Sequence, residues 1–412
     1  MLAVTTLAIL VTSMDMQILP TILPAVLDEF HLGEAAGGWL NALFFAGVAV
    51  GAVLFGIASD LSGSGHRRGL TWIVAYVIAV IGGALTFLFG ANLLAFNILR
   101  VFMGLSRGGS EPSNVALVSD WWQRENRGFA IGVHHTGFPV GQFLGPAIMA
   151  LVLTHHDWRA TYLLIPAIGI PVILAQLAAG TRRNERRVRD WIVAHGLTPP
   201  FDADAGAGGR RFRSPRELFR VLARDRNTAA CIAVIFLFLW AELGISSFLT
   251  VYLTKQLHMS LPAAATASGA SGLTGWIGQV VWGTASDRLG RKPVIAILAG
   301  GWALSTALLI AISTPGSAWA LLLFWGLFRN APFPVAYSML IDSVGEASGS
   351  AMGLMIGISF GVCGLVVAPV AGWCIQHLGW TADYAMLAAA SLLSLVPLRF
   401  TRETVSRSPA RA

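Results

Sequence analysis

Apolar runs of about 20 residues, long enough for a helix to cross about 30 Å of hydrocarbon, can be laid out twelve times along the chain. They cover 3–27, 37–59, 69–90, 93–117, 128–153, 159–180, 228–254, 263–284, 292–313, 317–341, 349–374 and 380–399. Helix is the expected state of each run, because open strands would leave backbone polar groups unpaired in lipid. The first run carries Asp15, Pro20 and Pro24 and has neither a basic leader nor a clear cleavage site, so it reads as a membrane helix and not a signal peptide. It starts almost at residue one, which leaves room for a short native leader ahead of this numbering.

The longest polar interruption, 181–226, holds twelve arginines and a Pro/Gly/Asp-rich stretch. It reads as a linker without a fold of its own. The expected organisation is a six-helix bundle over 1–180, the linker over 181–226, a second six-helix bundle over 227–400 and a tail over 401–412. Composition agrees: hydrophobic residues make up 55%, charged residues 12%, and the mean hydropathy is +0.67, which excludes a soluble globular chain. Lysines and arginines fall almost entirely on the side of the linker and both termini, with only Arg159 and Lys255 opposite. Both termini are therefore expected in the cytoplasm, and the +7 net charge reads as a topology signal, not a nucleic-acid surface. Cys231, Cys363 and Cys374 lie in apolar stretches without metal or disulfide spacing, and no cofactor or metal is expected.

The chain repeats itself. Gly56-Ile-Ala-Ser-Asp60 recurs as Gly283-Thr-Ala-Ser-Asp287, 227 residues on, at the same end of the second helix of each half. The second copy continues Arg288-Leu-Gly-Arg291-Lys292; the first is stretched and reaches Arg67 only later. Gly56, Asp60, Arg67, Gly283, Asp287, Arg288 and Arg291 are the expected gating residues, glycine allowing close helix approach and the charges clamping the inner seam. A second echo links Glu125-x2-Gly128 to Glu346-x2-Gly349, and Arg107-x4-Pro112-x7-Asp120 returns as Arg329-x4-Pro334-x7-Asp342. Arg107 and Arg329 are thereby expected symmetry mates, and Asp15 with Glu242 form a second ionisable pair.

Six charged residues fall inside the helices: Arg100, Arg107, Arg329, Asp15, Glu111 and Glu242. An unpaired charge near the bilayer midplane costs several kcal/mol. One reading makes Asp15 with Arg107, and Glu242 with Arg329, structural ion pairs; Glu111, four residues from Arg107, is another partner for it. The other reading turns these groups toward a central cavity. Arginine holds an anion through a fixed fork that does not titrate. Burial strengthens a carboxylic acid's hold on its proton and a nearby arginine weakens it, so the arrival of an anion can change that hold. On this reading Arg107 and Arg329 bind substrate with Asn41, His135, Gln142, Trp276 and Asn330, and Asp15, Glu242 and then Glu111 are the candidates for the coupled proton. Of the adjacent His134 and His135 only one can face the cavity. Trp121, Trp122, Trp158, Trp191 and Trp380 fit interface anchors, and Gly137, Gly141 and Gly145 give the fifth helix a smooth packing face.

The paired loop signature and the repeat resemble the major facilitator superfamily over essentially the whole chain. Within it, Arg100-x3-Gly104-x7-Pro112, Trp121-Trp122, Asn126-Arg127-Gly128-x-Ala130-x-Gly132 and Gly137-x3-Gly141 look like the anion:cation symporter family. The resemblance implies an all-α membrane protein of twelve helices in two pseudo-symmetric bundles, taking up a small organic anion with protons by alternating access. A monomer in a bacterial cytoplasmic membrane is expected. Two positions depart from that family. Met16 stands where it places an arginine after the first-helix aspartate, and Arg107 where it places a glutamate, so the cation has moved from helix one to helix four and substrate identity does not carry over. A proton-driven efflux antiporter is the alternative, since Gly141-x3-Gly145-Pro146 resembles the fifth-helix motif of drug antiporters. A transporter-like receptor is a third reading; an enzyme is not expected, as no nucleophile, metal cluster or phosphate loop accompanies the buried charges.

Overall fold

The structure, a computed structural model, describes residues 1–62, 65–123, 127–200, 226–344 and 354–404; the side chains of 57, 60, 61, 127, 128 and 341–344 are also outside the description. Asp60, the second echo and its surroundings at 124–126 and 345–353, most of the linker and the end of the tail therefore lie outside the described residues.

Every described element is helical. In the first half α1 (Leu2–Met16) and α2 (Ile18–Glu29) make the first crossing, α3 (Glu34–Ser62) the second, α4 (His66–Phe89) the third, α5 (Leu93–Trp121) the fourth and α6 (Arg127–Leu153) the fifth. The sixth joins α7 (Arg159–Ala167) to α8 (Ile170–Ala179). A further helix, α9 (Arg182–Ala194), opens the segment read as the linker; the Thr181 hydroxyl caps it by accepting from the Asn184 amide. The second half runs through α10 (Arg226–Lys255), α11 (Leu261–Ser268) with α12 (Ala270–Leu289), α13 (Arg291–Leu308), and α14 (Pro315–Arg329) with α15 (Pro332–Val344). A π-helical stretch at Gly357–Val362 leads into α16 (Cys363–Leu378), and α17 (Trp380–Leu393) with α18 (Leu395–Leu398) ends the bundle.

Among the described residues, nine of these crossings are long and apolar enough to span a membrane on that ground alone. The other three are the fourth, eighth and tenth. The fourth is diluted by Arg100, Arg107 and Glu111, the eighth is interrupted at Gly269, and the tenth breaks at Asn330–Ala331. The interruptions have local causes. Pro332 and Pro334 have no amide hydrogen for the carbonyls of Phe328 and Asn330 four residues back. Those carbonyls accept instead from Trp302 Nε1 at 2.9 Å and Gln279 Nε2 at 3.4 Å, as buried backbone in a membrane requires. Pro20 has the same effect beside Gln17, where α1 gives way to α2.

Close packing holds each half together. Gly47 and Gly104 meet backbone to backbone where α3 crosses α5, and a methyl group at Gly47 would fall 2.9 Å from the Gly104 Cα. The glycine face of α6 lies on α1: a methyl at Gly137 would meet the Thr6 carbonyl at 2.5 Å, and one at Gly145 the Met14 Cα at 3.1 Å. Trp121 and Trp158, expected at an interface, are buried, Trp158 donating to Glu29 Oε2 at 2.7 Å.

The halves meet where α3 packs on α16, α6 on α11 and α12, and α2 on α10. At the end opposite the arginines this seam is sealed. Lys255 Nζ pairs with Glu34 Oε1 at 2.8 Å, and the Ala35 amide donates to Gln376 Oε1 at 3.1 Å. At the arginine-rich end Arg67, Asp287 and Arg288 are exposed, and a side chain at Gly56 or Gly283 would meet none of the described residues within 4 Å.

Candidate functional site

Two polar centres occupy the middle of the molecule. In the second half Arg329, 3% exposed, uses all three guanidinium nitrogens: Nε donates to Glu242 Oε1 at 3.1 Å, Nη1 to Ser271 Oγ at 2.7 Å and Nη2 to Ser246 Oγ at 2.8 Å. Its plane lies over Trp325, 4.7 Å from the ring centre. The break after α14 puts Arg329 and Asn330 at a helix end, and the Gly269 interruption puts Ser271 in the first turn of α12, so discontinuous helices supply the ligands.

This centre reaches across the seam. Gln142, on α6 of the first half, donates from Nε2 to Glu242 Oε1 at 3.2 Å and accepts at Oε1 from Asn330 Nδ2 at 2.9 Å. Four of the predicted site residues, Arg329, Glu242, Gln142 and Asn330, thus form one hydrogen-bonded network.

In the first half Arg107 Nη2 meets Glu111 Oε2 at 2.6 Å, one turn along α5, and both side chains are 6% exposed. The Asp15–Arg107 ion pair set out from the sequence is not formed among the described residues. The Arg107 guanidinium lies 5.9 Å from the Phe138 ring centre and 5.8 Å from that of Phe360, which belongs to the opposite half. Arg107 therefore stands at the seam, and its buried Nε takes no hydrogen bond among the described residues. Asp15 turns toward Tyr76 on α4, and its buried Oδ1 is likewise unpartnered there.

Tyr337 of α15 connects the two centres, near enough to Glu111, Glu242 and Arg107 to feel all three charges. His135 packs its ring 6.3 Å from that of Tyr337 and also lies in the field of Glu111. His134 points away into the contact of α6 with α1 and is fully buried.

Trp276 does not join the cluster. It is 47% exposed and shares a stripe with Leu273, Ile277 and Val280, three and four residues apart on the outer face of α12, while the neighbouring Gly275 faces Asn330. Asn41 is buried on the α3 face that carries Gly38 and Phe45 against α16, its Nδ2 unpartnered among the described residues. Arg100 lies deeper in its own half, over Phe44 at 4.6 Å and 3.5 Å from the Tyr162 hydroxyl.

Of the gating residues, Asp287 bonds Arg291 within its own half at 2.9 Å, and Arg291 also reaches Ser286 Oγ at 2.8 Å. Glu403 caps α13 by accepting from the Arg291 and Lys292 amides at 2.9 and 3.0 Å. Glu185 does the same for α4 at the His66 amide, at 3.2 Å. This symmetric bracing was missed, as were Tyr76, Tyr337, Ser246, Ser271 and Asp383, a seventh buried charge at the start of α17. Asp383 lies four residues into the last apolar run, the one signal that could have flagged it. No metal-binding cluster occurs among the described residues.

The family model of the Major Facilitator Superfamily matches residues 5–275 and 236–412. This chain belongs to the Major Facilitator Superfamily. As members of that superfamily transport solutes, it is an integral membrane transporter and not an enzyme. The membrane sensor protein UhpC of Salmonella typhimurium is 26% identical over 94% of this chain and 88% of its own. The cis,cis-muconate transport protein of Acinetobacter baylyi is 23% identical over 96% and 92%. The xylose transporter XylE of E. coli, in a partially occluded inward open conformation, has the same superfamily fold, with a TM-score of 0.73, 15% identity, and coverage of 99% of this chain and 98% of that one.

Proposed function

We propose that this superfamily member is a secondary active transporter that takes up a small organic anion, such as a carboxylate, together with a proton by alternating access. One observation carries the reading: two buried arginines stand near the seam between the halves, each beside a carboxylate, the second at a break between helices. Arg329 and Arg107 would hold the anion. Its carboxylate would compete with Glu242 for the Arg329 fork and with Glu111 for Arg107, so anion entry frees acids that the arginines had held.

Asp15 is the strongest candidate for the coupled proton. Glu242 and Glu111 each sit against an arginine, whereas Asp15 has none at ion-pair distance among the described residues. The Glu34–Lys255 and Ala35–Gln376 contacts that join the halves at one end suit an inward-facing state, with the arginine-rich end and both termini in the cytoplasm of a bacterial cell and the chain acting as a monomer. The transport names of relatives such as the muconate protein support an organic anion as cargo.

The test is uptake into proteoliposomes. A thermal-shift screen of small carboxylates first identifies a ligand, since binding stabilises by mass action. An inward proton gradient should then drive its accumulation, and substrate addition should alkalinise the outside. Movement only outward would favour the drug or metabolite antiporter. Binding without flux in either direction would favour a sensor, the reading that the similarity to UhpC supports.

A further inference from the structure

We infer that Gln142 is a positioning residue that holds Glu242 on Arg329 only while the seam is shut at the Glu34–Lys255 end, so that shutting this end lowers the anion affinity of Arg329 and releases the anion inward. This role rests on the anion-uptake reading above and adds what separates the affinities of the two states.

Gln142 reaches out of its own half with both ends of its amide. Oε1 accepts from Asn330 Nδ2 at 2.9 Å, and Nε2 donates to Glu242 Oε1 at 3.2 Å. The same Glu242 oxygen accepts from Arg329 Nε at 3.1 Å, so the carboxylate is held in place by one donor from each half. Gln142 and Asn330 are 1% exposed, Glu242 and Arg329 3%. Close packing sets the position of the amide. A side chain at Gly269 would meet the Gln142 carbonyl at 3.1 Å, and one at Gly272 the Phe143 amide nitrogen at 2.7 Å, so α6 lies directly on the start of α12 at this turn. The eight residues of α11 lead from the Lys255 end to Gly269, and Gln142 therefore belongs to the contact that shuts this end.

The residue type suits this role better than packing alone. A methionine would fill the same volume with no buried amide to satisfy. A glutamate would set a second negative charge against Glu242. An amide accepts at one end and donates at the other, and with Oε1 taken by Asn330 its N–H groups are turned to the carboxylate. Asn330, at the helix break beside Arg329, thus fixes the direction of an amide that belongs to the opposite half.

An anion must displace Glu242 to use the Nε edge of Arg329. With the seam shut, that displacement breaks two charge-assisted hydrogen bonds at Oε1, one from Arg329 and one from Gln142. Once the halves part, Gln142 moves away with α6, and only the Arg329 bond is left to be exchanged for the anion's own. The two states then differ by one hydrogen bond to a charged group, about tenfold in affinity. Linkage makes the effect reciprocal: an anion on Arg329 frees Glu242 from Gln142 and so favours parting of the halves. A carrier built this way binds its anion tightly with the Glu34–Lys255 end open and lets go when that end shuts.

The experiment compares affinity with the seam clamped and unclamped. In a chain freed of its three native cysteines, Glu34→Cys and Lys255→Cys are joined by a short bifunctional methanethiosulfonate that reductant removes, leaving the arginine-rich end unclamped. Acetate, pyruvate, benzoate and succinate are the probes, titrated by calorimetry against chloride at equal ionic strength. With Gln142 present, the clamp should weaken probe binding about tenfold, and reductant should restore it. Gln142→Met, and Gln142→Asn, whose amide ends one methylene short of Glu242, should keep the unclamped affinity in both forms, a result that mere loss of packing would not give. A clamp without effect when Gln142 is present overturns this role and leaves the anion site standing, as does an equal effect in both variants. Variants that bind weakly in both forms make Gln142 a ligand of the anion and overturn the role too. Binding of none of the probes in any form overturns the anion site and this role with it.

Discussion

Glu242 and Arg329 are joined at 3.1 Å between the seventh and tenth crossings, and the same Glu242 oxygen takes a hydrogen bond from Gln142 across the seam. The acid therefore occupies the guanidinium edge that an anionic substrate would use. Glu242→Gln, which keeps the shape but drops the charge, should tighten anion binding, whereas Arg329→Lys should weaken it about tenfold, the value of one charge-assisted hydrogen bond. Titration calorimetry on the carboxylate found by thermal shift reads both. Unchanged affinity in the two variants would make the pair structural only. Glu242→Ala strands the buried arginine and should destabilise the protein by about 3–5 kcal/mol.

Among the described residues Arg107 is held by one ion pair and two aromatic rings, one from each half. Lysine can replace its charge but not its fork. Arg107→Lys should therefore lose affinity by about tenfold while folding normally by size-exclusion chromatography. If this variant transports like the parent, Arg107 is not an anion ligand.

Asp15 has Tyr76 as its facing partner and no cation at ion-pair distance among the described residues. Asp15→Asn should abolish accumulation against a gradient while exchange of labelled for unlabelled substrate continues. Exchange in this variant should also lose the pH dependence that the parent shows. Uphill uptake at the parental rate would move the coupling role to Glu242 or Glu111.

The Glu34–Lys255 pair fastens the halves at the sealed end, where the two side chains are 16% and 42% exposed. An ion pair so close to solvent contributes roughly 0.2–1 kcal/mol, enough to move a two-state equilibrium by up to about fivefold. In a chain freed of its three native cysteines, Asn41→Cys should react faster with an impermeant maleimide once Glu34→Gln is added. The double exchange Glu34→Lys with Lys255→Glu should return the rate toward the starting value.

The sequence alone was explicit about depth. Six of the buried charges and the repeat offset follow from linear spacing, because a helix advances by a fixed rise; the breaks beside Pro20, Pro332 and Pro334, laid out as uninterrupted runs, emerged only in the structure. The Arg107–Glu111 contact was legible from spacing too, being one turn of one helix. Trp276 stands apart from the cluster because its neighbour Gly275 points inward; a residue one step from a packing glycine is turned away from that face. The α9 helix was missed because an arginine-rich segment reads as solvated whether or not it is capped.

What the chain fixed by itself, then, is that this is a membrane protein of two similar halves with arginines and acids buried at matching depth, since hydropathy, period and repeat are local or additive properties of the string. Only the tertiary structure decided which acid meets which arginine, that Gln142 reaches over the seam to Glu242 and Asn330, that Tyr337 stands between the two centres, and that His135 and not His134 faces the site. Those outcomes depend on how far each helix turns about its own axis when the bundle packs, and that angle is set by all of its neighbours together.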